Sequence, residues 1–293
     1  MKFDSRNIIN LRILSKVFSP PIFQKIVREE DFIPFEKKIT KYFFENSCNS
    51  NLDIIKTLYK FLQKQYRCEY IYKNNLFINI IEEHGLKDTL TINELKVGIS
   101  KADLVLLNGS IRIYEIKTEL DGLSKLSKQL NDYQKFANKV YIVTDEKYAK
   151  KLMLEYCDTN IGIIVFNDKN KLETIKDSCD NSSLFEFDTI FKILRKQEYL
   201  DLVVDNFGLI PPVSNTKIFK TCYEMLSTID IIDFQNQVLN KLKSRKLAEP
   251  ELLKSSKTPI ELKHICNSLD FSKQEYQKLY NFLAIKSVCT NHI

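Results

Sequence analysis

One short run holds the residue types that cutting a phosphodiester requires. In Lys101-Ala-Asp-Leu-Val-Leu-Leu-Asn-Gly-Ser-Ile-Arg-Ile-Tyr-Glu-Ile-Lys117, Asp103 lies near the start of one apolar stretch, and Glu115 and Lys117 end the next. Residues at i and i+2 of a strand project from one face. Charge on a buried strand is costly unless it is paired or bound. Mg²⁺ takes hard oxygen ligands and keeps several waters, so one or two carboxylates suffice to hold it. The ion then polarises a phosphate and supplies hydroxide. A neighbouring lysine can orient that water or stabilise the charge that develops on phosphorus.

The chemistry requires Asp103 to face the same way as Glu115. Directly paired residues of antiparallel strands point to one side. A two-residue turn at Asn108-Gly109 would pair Leu107 with Ser110 and put Asp103 on the wrong face. A three-residue loop gives the required parity, with glycine in the left-handed conformation at its end. Function therefore predicts an odd loop and a positive φ at Gly109.

The elements around this hairpin follow from periodicity. Residues 1–45 read as two short helices broken at Pro20-Pro21. Ser50-Asn-Leu-Asp53 opens a helix with a capping-box-like start, and a second helix runs from about Asn75 to His84-Gly85. Thr91–Val97, Ala102–Leu107 and Ile111–Thr118 read as strands. The helix after them has Leu123, Leu126, Leu130, Tyr133 and Ala137 along one side. A strand at Val140–Thr144, a helix capped by Asp145, a strand at Ile161–Phe166 and an edge strand at Lys171–Lys176 complete a mixed sheet. The predicted fold is an α/β core, a mixed central sheet flanked by helices, with helical N-terminal and C-terminal segments. The expected division is 1–45, 46–178 and 179–293. In the last region, Leu184–Phe207 and Lys217–Lys246 read as helical, and Thr258-Pro-Ile-Glu261 and Ser272-Lys-Gln-Glu275 read as capping boxes. The two helices they start read as packed helices of a bundle, with no basic face that would mark a DNA-reading helix-turn-helix.

Asp103, eleven intervening residues and Glu115-Ile116-Lys117 resemble the signature of the PD-(D/E)XK nuclease superfamily. Gln129-Leu-Asn-Asp-Tyr133 on the next helix resembles the Gln-x-x-x-Tyr element of its RecB-like members, and the whole stretch is similar to small bacterial proteins of that superfamily. The resemblance covers about residues 75–168 and implies a restriction-endonuclease-like core. It implies that Asp103 and Glu115 are metal ligands, with Mg²⁺ expected and Mn²⁺ as a substitute. It implies that Lys117 positions the attacking water, and that Gln129 and Tyr133 orient the site and nearby nucleic acid. A further acid is often present, and Glu94, on the strand beside the hairpin, is preferred over Glu82 and Glu83. Lys125 and Lys128, on the helix that follows, are candidate phosphate contacts. The proline that names the motif is absent, with Lys101-Ala102 standing before Asp103.

Composition limits the alternatives. The 293 residues are 44% hydrophobic and 11% aromatic, enough for a sizeable core, and the net charge of +6 is compatible with a polyanionic partner. No apolar run approaches the roughly 20 residues that span a bilayer. The N-terminus lacks a signal-peptide stretch, so a cytoplasmic protein without a membrane partner is expected. Seven scattered cysteines without a Cys-x-x-Cys pair read as reduced thiols. His264, Cys266, Cys289 and His292 have the residue types of a zinc site but an unusual spacing. Free thiols and surface imidazoles are the expected reading. The function expected is a metal-dependent nuclease acting on DNA. The alternatives are a silent nuclease-fold module that binds nucleic acid or protein (an immunity or regulatory protein), and an RNA-directed nuclease toxin.

Overall fold

The computed structural model describes residues 8–42 and 50–286. Helices α1 (Ile8–Ser15), α2 (Pro20–Gln24), α3 (Ile33–Tyr42), α4 (Asn51–Gln65) and α5 (Glu69–His84) precede the strands. The expected break falls at Ser19, which is extended, and the two prolines after it start the next helix. They begin α2, where their missing N–H groups have no intrahelical partner to lose. Ser50 caps α4 as expected, its hydroxyl accepting the Asp53 N–H at 3.2 Å. Helix α5 starts six residues earlier than its periodicity suggests and ends at Gly85, φ +69°.

The sheet comprises β1 (Leu90–Val97), β2 (Ser100–Leu107), β3 (Ile111–Lys117), β4 (Lys139–Asp145), β5 (Gly162–Phe166) and β6 (Leu172–Lys176), ordered as in sequence. Strands β1 to β3 form an antiparallel meander, β3, β4 and β5 run parallel, and β6 is an antiparallel edge. Parallel neighbours need crossovers. These are α6 (Leu126–Gln134), which packs on β2 and β4, and α7 (Glu146–Tyr156), which packs on β4 and β5. The architecture is therefore a six-stranded mixed sheet with flanking helices.

The chain after β6 is more broken than its helical periodicity suggests. It forms α8 (Phe187–Phe191), α9 (Lys196–Phe207), α10 (Asn215–Leu226) and α11 (Ile231–Lys243). Asp230 interrupts the long helix expected over 217–246, because its carboxylate caps the N–H groups of Ile232 and Asp233. Phe187, Phe191, Tyr223 and Phe234 form the aromatic core of these helices. Gln235 of α11 is buried and donates to Phe136 O and Asn138 Oδ1, which fixes α11 beside the sheet. Arg245 grips the Glu198 carboxylate through two 2.6 Å bonds, a bidentate pair. Helices α12 (Pro250–Lys254), α13 (Lys263–Leu269) and α14 (Lys273–Ala284) complete the chain. Ser272 and Glu275 form the expected capping box. Thr258 does not, because its hydroxyl bonds Leu252 O and Tyr280, and Glu261 lies in a buried 3-10 turn.

The chain forms two compact units. One comprises the described parts of Met1–Leu86, Thr118–Leu120 and Leu247–Ile293, and the other comprises Lys87–Lys117 with Asp121–Lys246. Helices α4 and α5 thus group with the chain ends and not with the strands, and residues 179–246 group with the sheet. Local periodicity carries no information about which distant helices share a core. No helix among the described residues is long and apolar enough to cross a membrane.

Within the helical unit, Asn74 is fully buried and donates to Tyr59 Oη and Ile260 O while accepting from the His264 N–H. His264 is therefore buried, and not on the surface as the sequence suggests. It packs edge-on against Tyr70 and Phe77. Burial, and then the Lys73 charge, push its pKa down to about 3. The unfolded imidazole titrates near 6.5, so between that pH and about 3 the unfolded chain binds the extra proton. This stability is whole above pH 6.5 and is lost as pH falls toward 3, about 5 kcal/mol in total. Urea unfolding at pH 7 and pH 4.5 should show about half of this loss, and His264→Leu should make the helical unit markedly less acid-sensitive. An unchanged pH dependence would remove His264 as the cause.

Candidate active site

The hairpin between β2 and β3 has the parity that the chemistry requires. Leu107 pairs with Ile111 and Leu104 with Tyr114, so the loop is the three residues Asn108-Gly109-Ser110, with Gly109 at φ +65°. Asp103 and Glu115 thus face the same side. The ladder is completed by the Asp103 side chain, whose Oδ2 accepts the Ile116 N–H at 2.8 Å. The β1–β2 connection differs, being a two-residue turn at Gly98-Ile99 that pairs Val97 with Ser100.

Glu115 is the centre of the site. It is 1% exposed, and its carboxylate is held by three donors. Lys117 Nζ and Gln129 Nε2 reach Oε1 at 2.7 and 2.5 Å, and Tyr133 Oη reaches Oε2 at 2.8 Å. One turn of α6 thus delivers Gln129 and Tyr133 to the strand, because i and i+4 share a helix face. Tyr133 Oη also lies 2.9 Å from Lys101 O, and the charge-assisted bond to Glu115 is the stronger of the two. Burial, and then the Glu115 charge, raise the Tyr133 pKa far above the usual phenol value. Tyr133 therefore stays protonated as a donor. Its expected role at a nucleic-acid contact is corrected, since the ring is fully buried and its hydroxyl is committed to Glu115.

Two further contacts set this geometry, and no spacing in the sequence announces either. Asp132 is buried beneath the Gly98 turn and accepts the Ser100 hydroxyl at 2.6 Å, which ties α6 to the β1–β2 turn. Thr144 of β4 donates to Lys117 O at 2.9 Å, which fixes the end of β3.

Glu94 does not join the acids in the way the sequence suggests. It stands opposite Asp103, yet the pairing passes from Asn93↔Leu104 to Leu95↔Ala102 without it. Its backbone is left-handed, φ +56°, and its side chain is 55% exposed and paired with Lys101. A left-handed non-glycine residue costs about 1 kcal/mol. An exposed strand position ordinarily favours valine over glycine, and here the order should reverse. Glu94→Gly should be neutral or stabilising by up to about 1 kcal/mol, and Glu94→Val destabilising by about 1–2 kcal/mol. Denaturant midpoints ranking valine above glycine would refute the strain.

Lys125 and Lys128 are exposed at the start of α6 and do not touch the carboxylate cluster. Among the described residues there is no group of three or more His, Cys, Asp or Glu placed to hold a metal. Cys289 and His292 lie outside the described residues, and His264 and Cys266 form no such group. The donor types at the site are oxygens. Glu115 offers about four lone-pair positions, three are used, and one on Oε2 remains. Gln129 Oε1 is buried beside it without a hydrogen-bond partner. Two carboxylates and an amide oxygen are the hard donors that Mg²⁺ or Mn²⁺ accepts.

The sequence profile of the bacteriophage P4 protein cII family matches residues 62–268. The chain belongs to that family. It is similar to Protein cII of Enterobacteria phage P4, at 26% identity over 183 residues that cover 60% of this chain. The chain spans 64% of the length of that relative. Among solved structures, the SPO1766 protein of unknown function from Silicibacter pomeroyi aligns with 44% of this chain and 84% of its own length. That alignment has 12% identity and a TM-score of 0.28. The family match spans α5, the whole sheet and most of the later helices, and so includes every residue of the cluster around Glu115.

Proposed function

We propose that this member of the cII family is a metal-dependent nuclease with a restriction-endonuclease-like core, hydrolysing phosphodiester bonds in DNA. The observation that carries the reading is the buried Glu115 carboxylate. β3 and α6 gather Lys117, Gln129 and Tyr133 around an acid at 1% exposure, and β2 sets Asp103 on the same face. Burial of charge is costly, and an apolar residue would fill the place more cheaply.

In this reading, Asp103 and Glu115 would hold the cation, and Gln129 Oε1 would be available as a further oxygen donor. Bound Mg²⁺ supplies Lewis-acid polarisation of the phosphate and a source of hydroxide at neutral pH. Lys117 places a positive charge where negative charge grows on the phosphoryl oxygens. Tyr133 and the Gln129 amide fix the Glu115 rotamer, so the carboxylate need not reorganise during the reaction. In hydrolysis the water oxygen bonds to phosphorus, one P–O ester bond breaks, and a proton passes to the departing oxygen.

The test is incubation of the purified chain with circular plasmid, linear duplex and RNA, in Mg²⁺ or Mn²⁺. Cleavage of DNA that disappears in Asp103→Ala and Lys117→Ala is the expected result. Cleavage that persists in both variants would defeat the mechanism. An inert wild-type protein would leave a module that binds nucleic acid or protein without turnover.

A further inference from the structure

Helix α7 begins where β4 ends. Thr144 pairs with Lys117 across the parallel ladder, and the Asp145 side chain caps the helix by accepting the Lys147 N–H at 2.8 Å. The first turn of α7 therefore stands beside the strand ends that carry Glu115 and Lys117. Tyr148, in that turn, donates its hydroxyl to Asp121 O at 2.9 Å, which ties α7 to the segment leading into α6. Lys147, Lys150 and Lys151 fall at i, i+3 and i+4, so they share one helix face, and all three are exposed.

Some lysines of the same unit are paired. Lys101, Lys135 and Lys139 are each neutralised by a carboxylate, of Glu94, Glu186 and Asp177 respectively. Lys147, Lys150 and Lys151, like Lys125 and Lys128 on α6, have no carboxylate partner among the described residues. With Leu154 and Glu155, the α7 lysines line an open concavity of about 570 Å³. The chain thus keeps lysines without an ion-pair partner on α7 and at the start of α6.

We propose that the Lys147, Lys150 and Lys151 face of α7 is a docking surface for the phosphate backbone of DNA. Its helix starts beside the strand ends that carry the Glu115 site. The inference rests on the nuclease reading of that site. Lysines act as point charges on phosphates, so the contact is independent of sequence and strongly dependent on salt.

The experiment is fluorescence anisotropy of a labelled duplex without divalent metal, between about 50 and 200 mM NaCl. Alanine at all three α7 positions should weaken binding at least about tenfold. It should also flatten the slope of log affinity against log salt by about 0.9 per lost contact. Arginine at the same positions should retain both. Alanine at Lys169 and Lys171, exposed in the β5–β6 turn, should change neither. Hydrolysis of bis-(p-nitrophenyl) phosphate, too small to reach along α7, should be unaffected by the triple change. An unaltered affinity and slope in the triple variant overturns the surface, and a loss confined to duplex RNA overturns its assignment to DNA. If the wild type hydrolyses neither DNA nor the small diester but the slope still falls, the surface stands and the nuclease reading fails.

Discussion

Glu115→Gln is expected to lower Mg²⁺-dependent DNA cleavage by about three orders of magnitude. The same change should reduce unfolding free energy by about 3–5 kcal/mol, since it leaves the Lys117 ammonium buried without its partner. The side chains of the pair are 12% and 2% exposed, so water cannot replace the lost contact. The two losses have different causes and can be separated. Adding Lys117→Met removes the orphaned charge and should recover at least about half of the lost stability, while cleavage stays absent. Urea midpoints and a plasmid assay on the single and double variants measure both. Wild-type cleavage in Glu115→Gln would remove that residue from the chemistry. Stability that does not recover in the double variant would show that the ion pair is not what the single change breaks.

Gly162→Ala should be the most damaging single methyl in the sheet, costing about 3 kcal/mol or more. A Cβ there would collide with the Tyr141 ring, lying 2.6 Å from Cε1, and would stand 2.8 Å from the Ser178 backbone nitrogen. Neither neighbour can retreat. Tyr141 is stacked on Tyr114 with centroids 5.4 Å apart, and its hydroxyl is bonded to Asp177. Ser178 is buried and held by its own hydroxyl, which donates to Asn160 O at 2.7 Å and accepts the Val140 N–H at 3.1 Å. Gly122→Ala is the control, because nothing lies within 4 Å of its Cβ position. It should be neutral or slightly stabilising through the unfolded chain. Thermal melting of the two variants decides the matter, and equal midpoints would refute the packing argument.

Much of the architecture was legible because it is written locally. The apolar runs of β1 to β5, the Ser50, Asp145 and Ser272 caps and the glycine stops at 85 and 98 all depend on neighbours within a few residues. Prolines 20 and 21 break the helical run at Ser19, as their character dictates, and also start the next helix, which their position after Ser19 allows. The exceptions are also physical. The Thr258 spacing fits a capping box, but its hydroxyl finds better partners in Leu252 O and Tyr280, one of them distant in sequence. Glu94 lies in a good strand pattern, and nothing in its neighbours signals the left-handed backbone that turns it toward Lys101.

The hairpin separates the two kinds of knowledge most clearly. The sequence by itself determined the residue types, Asp103, Glu115 and Lys117, and that the last two share a face. It also determined the condition for the first to join them, an odd loop with Gly109 at positive φ. Only the tertiary structure decided that the condition is met, because register depends on how the loop closes. Only packing of α6 on the sheet decided that Gln129 and Tyr133 end on Glu115, with the tyrosine buried as a donor. A helix period tells which side chains share a face, but the partner of that face is chosen by long-range burial, which no short window of residues contains.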